Sequence, residues 1–424
     1  MKVLLINNLY GRFARGGAER IVATIAEELE RVGHTVSIFT VGPLESLASF
    51  WPRIDYSEVP STSLRVYRFF PNNLFSIVTI NRRPTWLRFF WHAIDPVNDH
   101  PAWALLWVIH KENPDIVWTH NLKGLGGWIP WLLRRTKIPH VHHLHDVQLI
   151  EPSGLMFPAA HTLANYSHVL KNMRIEFRRM YTAANRWLMG SPTLVVSPTQ
   201  WLLDLHLTHG FFKKSKTLVL ANPTPSCPVR VPRSSDSLLP EQSRRPSRGE
   251  EATLRQAQGI NFLFAGQLVE HKGIRFLIDA LKAYDFSFSW ELHIAGAGAL
   301  ESTLRTELAH DARFIFHGKL SAQPFEQVWS QIDLIIVPSL CLENAPTVIL
   351  ESLARGIPVL ASRVGGIPEM VKEGESGWMF EAGNADELLK TLGRSIRDIR
   401  DGFRPKHQTP QSPDDYAHQV LATI

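Results

Sequence analysis

The stretch Ser339-Leu-Cys-Leu-Glu-Asn-Ala-Pro-Thr-Val-Ile-Leu-Glu-Ser-Leu-Ala-Arg-Gly-Ile-Pro-Val-Leu-Ala-Ser362, continuing as Arg363-Val-Gly-Gly-Ile-Pro-Glu369, decides how this chain folds. Pro346 opens a helical run that ends at Ala354. Gly356 is suited to a helix stop, and Pro358 to Ser362 is an apolar run short enough for a buried strand. Gly365 and Gly366 then precede another helix start. Helix, turn, buried strand and glycine turn in immediate succession is the signature of a parallel sheet with crossover helices.

Working outward, the same alternation predicts strands at 261–265, 291–295, 313–316, 333–338 and 358–362, with helices near 274–283, 300–309, 346–354 and 385–392. Before them it predicts strands at 2–7, 34–40, 115–119, 140–144, 193–197 and 217–220. A first helix after Gly16-Gly17 carries Ile21, Val22, Ile25, Ala26 and Leu29 at helical spacing and stops at Gly33. The expected architecture is α/β with two Rossmann-like doubly wound domains facing each other across a cleft, where ligands bind beyond the carboxyl ends of the strands. Residues 1–225 form the first domain and 260–400 the second. Between them 226–259, rich in Pro, Ser, Arg and Glu, reads as a disordered linker. Residues 401–424 form a tail whose helix is expected to return to the first domain. Residues 43–99, aromatic and punctuated by Pro, read as long acceptor-facing loops.

A chain of 424 residues with 44% hydrophobic and 20% charged residues suits two soluble domains. The opening apolar run stops after five residues at Asn7 and reads as a strand, not a signal peptide. Two cysteines, Cys227 and Cys341, exclude a disulfide framework and a cysteine metal site, and point to a reducing cytoplasm. Residues 1–225 hold 24 Lys and Arg against 15 Asp and Glu, and eight Trp fall between Trp51 and Trp131. Indoles with interleaved Arg82, Arg83, Arg88, Arg134 and Arg135 suit contact with an anionic membrane at the inner face of the plasma membrane. Trp in the core with Arg on a solvated face is the competing reading.

Several segments can carry chemistry. Glu343 stands at the mouth of the helix begun by Pro346 and Glu351 lies within it; carboxylates so placed accept hydrogen bonds from sugar and ribose hydroxyls. Gly365 and Gly366 let backbone N–H groups face an anion at a helix start. The segment Phe-Ala-Gly266-Gln267-Leu-Val-Glu-His-Lys272-Gly places a lysine after a strand end, suited to phosphate oxygens. Gly16 and Gly17, opening the first helix, allow a diphosphate close to the main chain. His120 ends one strand; His143 and His145 share a side beyond another, with His142 opposite. A metal cluster among these histidines is one reading, but there is no HExxH or comparable spacing and few carboxylates accompany them, so His120 and the acceptor-side pair His145 and Asp146 are preferred as polar cleft lining, with no metal. Nucleophile elbows, Walker loops and nucleic-acid signatures are absent.

Taken in order, Gly-Gly-Ala-Glu-Arg from Gly16, Thr119-His120, the Gly266 to Gly273 segment, the Glu343 and Glu351 pair, Gly356 to Ser362 and Gly365 to Glu369 resemble the GT-B glycosyltransferases of family 4. The resemblance spans 1–40, 101–222 and 260–395. It implies retaining transfer of a sugar from a nucleotide diphosphate sugar to a glycan or lipid-linked acceptor in cell-surface polysaccharide or glycolipid assembly, with no cofactor required and no nucleic acid partner. It implies catalytic positions for His120, Lys272 and Glu343. The donor site would comprise Gly16, Gly17, Gly266, Gln267, Lys272, Glu343, Asn344, Ala345, Pro346, Thr347, Glu351, Gly365 and Gly366, with Glu351 on the ribose and Glu343 on the transferred sugar. The family has arginine where this chain has Gln267, which transfers more of the phosphate neutralisation to Lys272. A nucleotide-sugar-binding protein without turnover and a sugar-nucleotide epimerase are the other readings.

Overall fold

The computed structural model describes residues 1–55, 64–158, 168–224, 259–320, 322–405 and 411–424. The expected linker lies outside the described residues except for Gly259, and so does Cys227. The chain divides into two units: the first comprises the described residues up to 156, 168–224 and 411–424, and the second 157–158 and the described residues of 259–405.

The first unit is an eight-stranded sheet. Its strands are β1 (Lys2–Ile6), β2 (Thr35–Val41), β3 (Arg53–Ile54), β4 (Arg65–Phe69), β5 (Ile116–Thr119), β6 (His140–His143), β7 (Leu194–Ser197) and β8 (Lys216–Val219), in the order β3-β4-β2-β1-β5-β6-β7-β8. All neighbours are parallel except β3 with β4. Its helices are α1 (Gly17–Arg31), α2 (Thr85–Ile94), α3 (His100–Glu112), α4 (Trp128–Leu133), α5 (His168–Met189) and α6 (Gln200–Thr208). Central strands such as Leu4-Leu5-Ile6 are apolar throughout because helices cover both sheet faces. The α1 stripe of Ile21, Val22, Ile25, Ala26 and Leu29 is buried, and the helix stops where Gly33 turns to φ +89°.

The second unit is a parallel six-stranded sheet in the order β11-β10-β9-β12-β13-β14. The strands are β9 (Ile260–Ala265), β10 (Trp290–Ala295), β11 (Phe314–Gly318), β12 (Leu334–Val337), β13 (Val359–Ser362) and β14 (Gly377–Phe380). Helices α7 (Ile274–Ala283), α8 (Glu301–Glu307), α9 (Ala322–Trp329), α10 (Thr347–Ala354), α11 (Ile367–Met370) and α12 (Ala385–Arg400) connect or flank them. The last helix, α13 (Pro413–Thr423), lies on the first unit, where Tyr416, Ala417 and Val420 join the apolar cluster of α1. Tyr416 stacks 6.3 Å from Trp118, and its hydroxyl lies 3.2 Å from His143 Nδ1.

One expectation is overturned. Among its described residues, the segment 43–99 is not a set of loops: it supplies β3, β4 and α2. Arg68, next to last in β4, conceals that strand from a reading based on apolar runs. Its guanidinium is buried because it pairs with Asp55 at 2.8 Å and donates to the Tyr10 carbonyl at 3.0 Å. The helix begun near Pro346 starts one residue later than expected, with Pro346 as its N-cap.

Candidate functional site

In the second unit, the chain runs from β9 outward to β10 and β11, then crosses back to place β12 on the other side of β9. The loops that leave the carboxyl ends of β9 and β12 therefore part at the topological switch point, where such sheets bind ligands. Lys272 leaves β9 and Glu343 leaves β12. Their side chains meet there, Nζ to Oε1 at 2.5 Å.

Glycines set this encounter. Gly273 has φ +75°, and a Cβ on it would lie 1.8 Å from the Pro338 carbonyl oxygen, so only glycine lets the two loops approach. Leu340 N–H donates to the His271 carbonyl at 2.9 Å and ties them. Gly365 has φ +58° with its Cα against Glu343, and the Gly366 N–H donates to the Glu343 carbonyl at 2.8 Å. The glycine pair thus fixes the main chain of Glu343 through a bond that occupies the Gly366 N–H.

The electrostatics follow from burial and pairing. Burial opposes charge on Lys272, but the Glu343 carboxylate outweighs it and raises the lysine pKa. Burial likewise opposes ionisation of Glu343, yet Lys272 and the Ser339 hydroxyl, which donates at 2.9 Å, hold it below the usual carboxylate range. Burial and the Glu343 charge push the Cys341 thiol up to about 12, so it stays protonated. The site holds a charged ammonium beside a charged carboxylate, ready to address an anion and hydroxyl groups respectively.

Gly266 and Gln267 lie exposed just beyond β9, with the Gly266 N–H donating to Ala295 at 3.0 Å. Asn344, Ala345 and Pro346 are half-buried between Glu343 and α10, and Thr347 and Glu351 are half-buried within α10. The pairing of Ser339 and the contact of Cys341 with Glu343, 4.0 Å from Sγ to Oε1, escape sequence reading because nothing in their spacing announces a shared partner.

The first unit repeats the geometry. Its switch point falls between β1 and β5, and His120 directly follows β5, its N–H donating to the Ile6 carbonyl at 2.8 Å. Gly16 and Gly17 open α1 after β1, but the Gly16 N–H is already donated to Glu19 Oε2 at 2.8 Å. A carboxylate therefore caps this helix mouth.

His120 lines a recess of about 760 Å³, continuous with solvent, together with His145, Asp146, Lys123, Asp95 and Tyr181. Burial raises the carboxyls of Asp95 and Asp146 to about 6, depresses the Lys123 ammonium and holds His145 down to about 3. His120 Nδ1 lies 2.9 Å from His145 Nε2, and the His143 and His145 rings stack at 4.2 Å. His142 instead meets Thr119 on the opposite side, 2.8 Å from Nδ1 to the hydroxyl.

The tryptophans divide. Trp91 and Trp118 are core, whereas Trp86, Trp103 and Trp187 are about 60% exposed. Trp128 touches Trp131 and Trp187, and the Arg135 guanidinium lies 3.2 Å from the Trp131 ring centre. Among the described residues, no helix is long and apolar enough to cross a membrane.

Two protein-family models match the chain: "Glycosyl transferases group 1" over residues 259–398 and "Glycosyl transferase 4-like domain" over 16–223. An uncharacterised 42.6 kDa protein in the cps region of Klebsiella pneumoniae is 23% identical over 370 residues, 87% of either chain. The amylovoran biosynthesis glycosyltransferase AmsK of Erwinia amylovora is 31% identical over 148 residues, 32% of this chain and 36% of its own. The crystal structure of Anabaena HepE in complex with UDP-glucose has the same fold, with a TM-score of 0.59 at 18% identity and full coverage of both chains.

Proposed function

We propose, from the premise that this chain belongs to the group 1 glycosyl transferases, that it moves a sugar with retention of configuration from a nucleotide diphosphate donor to a glycan or lipid-linked acceptor in cell-surface polysaccharide assembly. The observation that carries this reading is the Lys272–Glu343 pair at the switch point of the second sheet. As the glycosidic bond breaks, negative charge grows on the leaving diphosphate, and a fixed ammonium aimed at it lowers the barrier. Glu343 accepts hydrogen bonds from hydroxyls of the transferred sugar, which restrain the ring while its anomeric carbon becomes electron-poor. Glu351 takes the ribose hydroxyls, and His120 lies beside the reacting sugar. The acceptor hydroxyl attacks from the face the phosphate leaves, and the departing phosphate takes its proton, so neither an enzymic nucleophile nor a metal is required.

The names of the relatives support the polysaccharide context: one makes amylovoran, and a protein of this fold binds UDP-glucose. The exposed side chains of Val97 and Trp187, with half-buried Trp128 against them and Arg134 and Arg135 nearby, support a peripheral membrane contact at the cytoplasmic face, where indoles settle at the interface and cations meet anionic headgroups.

The test is nucleotide diphosphate release from UDP-, GDP- and dTDP-sugars, with and without glycan acceptors. Acceptor-dependent release is expected with one donor class. The Lys272→Ala variant should lose about 100-fold to 1,000-fold in kcat, the usual effect of removing one charge-stabilising donor. Near-normal turnover of that variant refutes the assignment, and binding without release identifies a non-catalytic carrier.

A further inference from the structure

We propose that His120, His143 and His145 form a site for one divalent transition-metal ion of the zinc class, and that its occupancy silences sugar transfer. The three residues come together through the sheet. Parallel pairing of β5 with β6 sets Thr119 opposite His142, so the next residues on each strand, His120 and His143, emerge side by side. His145, two residues on, falls on the same side. One ring nitrogen from each lies within 4.8 Å of the other two, and the ring centres are 4.2 to 5.3 Å apart.

The hydrogen bonding leaves one ring nitrogen of the cluster poorly matched. Nε2 of His143, the ring nitrogen left over from Tyr416, is buried with no well-formed hydrogen bond and the Asn222 side chain beside that ring, whereas buried polar atoms in folded proteins are nearly always paired. The Tyr416 hydroxyl sits 3.2 Å from His143 Nδ1 and orients that ring, as outer-shell partners do for metal-ligating imidazoles. Three nitrogens about 2.05 Å from a tetrahedral ion stand about 3.3 Å from one another. That spacing falls between the 2.9 Å of the His120–His145 contact and the 4.8 Å limit of the cluster, so side-chain rotations of about 1.5 Å or less assemble it.

When the ion enters, the proton shared between His120 and His145 is given up to water and an equal proton is taken up at the far nitrogen of the same ring, so both rings stay neutral and no proton is released overall. Neutral imidazoles select zinc, cobalt, nickel or copper over magnesium and calcium. All three histidines line the recess, together with the carboxyls of Asp95 and Asp146 and the ammonium of Lys123. The inhibitory consequence, unlike the binding itself, rests on the reading that His120 faces the reacting sugar: an ion held there withdraws that ring.

The experiment titrates the full chain, stripped with a chelator, with Co²⁺ and follows its visible absorption. One equivalent with the intense bands of four-coordinate cobalt, displaced by Zn²⁺ but not by Mg²⁺, is expected. His145→Ala, at the half-exposed end of the cluster, and His143→Phe should each weaken binding about 100-fold or more, while His110→Ala, at an exposed histidine elsewhere, leaves it unchanged. Thermal unfolding in chelator checks that each variant folds. Absence of stoichiometric binding, or binding undiminished in His145→Ala, overturns the site. Zn²⁺ should suppress nucleotide release with the midpoint of the cobalt displacement; full binding without suppression overturns the inhibitory role. A chain that binds cobalt but turns over no donor even when stripped counts against the transferase reading and leaves the metal site standing.

Discussion

Gly365→Ala tests the site without removing any of its polar groups. At φ +58° an alanine already costs about 1–2 kcal/mol in backbone strain. Its Cβ would also stand 2.0 Å from the Glu343 carbonyl oxygen, against a floor near 3.0 Å for real contacts, so the Glu343 loop must retreat by about 1 Å. That movement breaks the 2.8 Å bond from the Gly366 N–H, worth about 1 kcal/mol. The total of about 2–3 kcal/mol should lower the melting temperature of the second unit by about 4–12 °C. A displacement of about 1 Å in a group that positions substrate should cost about 100-fold in kcat/KM. Gly356→Ala is the control: its φ is +70°, but its Cβ would meet nothing within 4 Å, so it carries the strain without the collision. The assays are differential scanning calorimetry and steady-state nucleotide diphosphate release. If Gly365→Ala retains the activity of Gly356→Ala, the glycine pair does not hold Glu343 in place and the reasoning fails.

The first unit should lose stability in mild acid. Burial holds His140 to about 3 and His206 to about 4, below the ordinary value near 6.5. The unfolded chain therefore takes up their protons first, and their contribution, full above that value, falls away below it. Each costs about 1.4 kcal/mol between pH 7.5 and 5.5. His206→Leu should flatten the melting temperature against pH across that interval, and an unchanged slope would contradict the assignment. Tyr416→Ala, which empties a fully buried position between Trp118 and His143, should destabilise the first unit by about 3–5 kcal/mol in urea unfolding; a loss below about 1 kcal/mol would show that α13 does not complete that core. Flotation on anionic liposomes should fall several-fold for Trp187→Ala combined with Arg135→Ala and weaken with salt; equal flotation rules out the Trp128 surface as the docking face.

Parallel strands buried on both faces are short unbroken apolar runs, which is why β1, β9, β12 and β13 are readable directly from residue order. The glycines around Lys272 and Glu343 are equally legible, since a turn beside a strand end demands them. β4 is not, because Arg68 interrupts its apolar run and is tolerated through partners that include Asp55, thirteen residues earlier, and the carbonyls of Tyr10 and Val41. Nor is the clustering of three histidines: His143 and His145 show their common side by alternation, but His120 joins them only through strand register. Glu19 shows the converse limit. The Gly16-Gly17 pair suggests an open anion seat, and only coordinates reveal a carboxylate already occupying it.

Because α13 completes a core begun by α1, the first unit interrupts itself to accommodate the second, and its folding has an order imposed by synthesis. Until residues 413–423 leave the ribosome, Trp118 and His143 lack the aromatic neighbour that covers them, so a chain made only as far as residue 405 leaves this patch of the first core open while the later unit can already be finished.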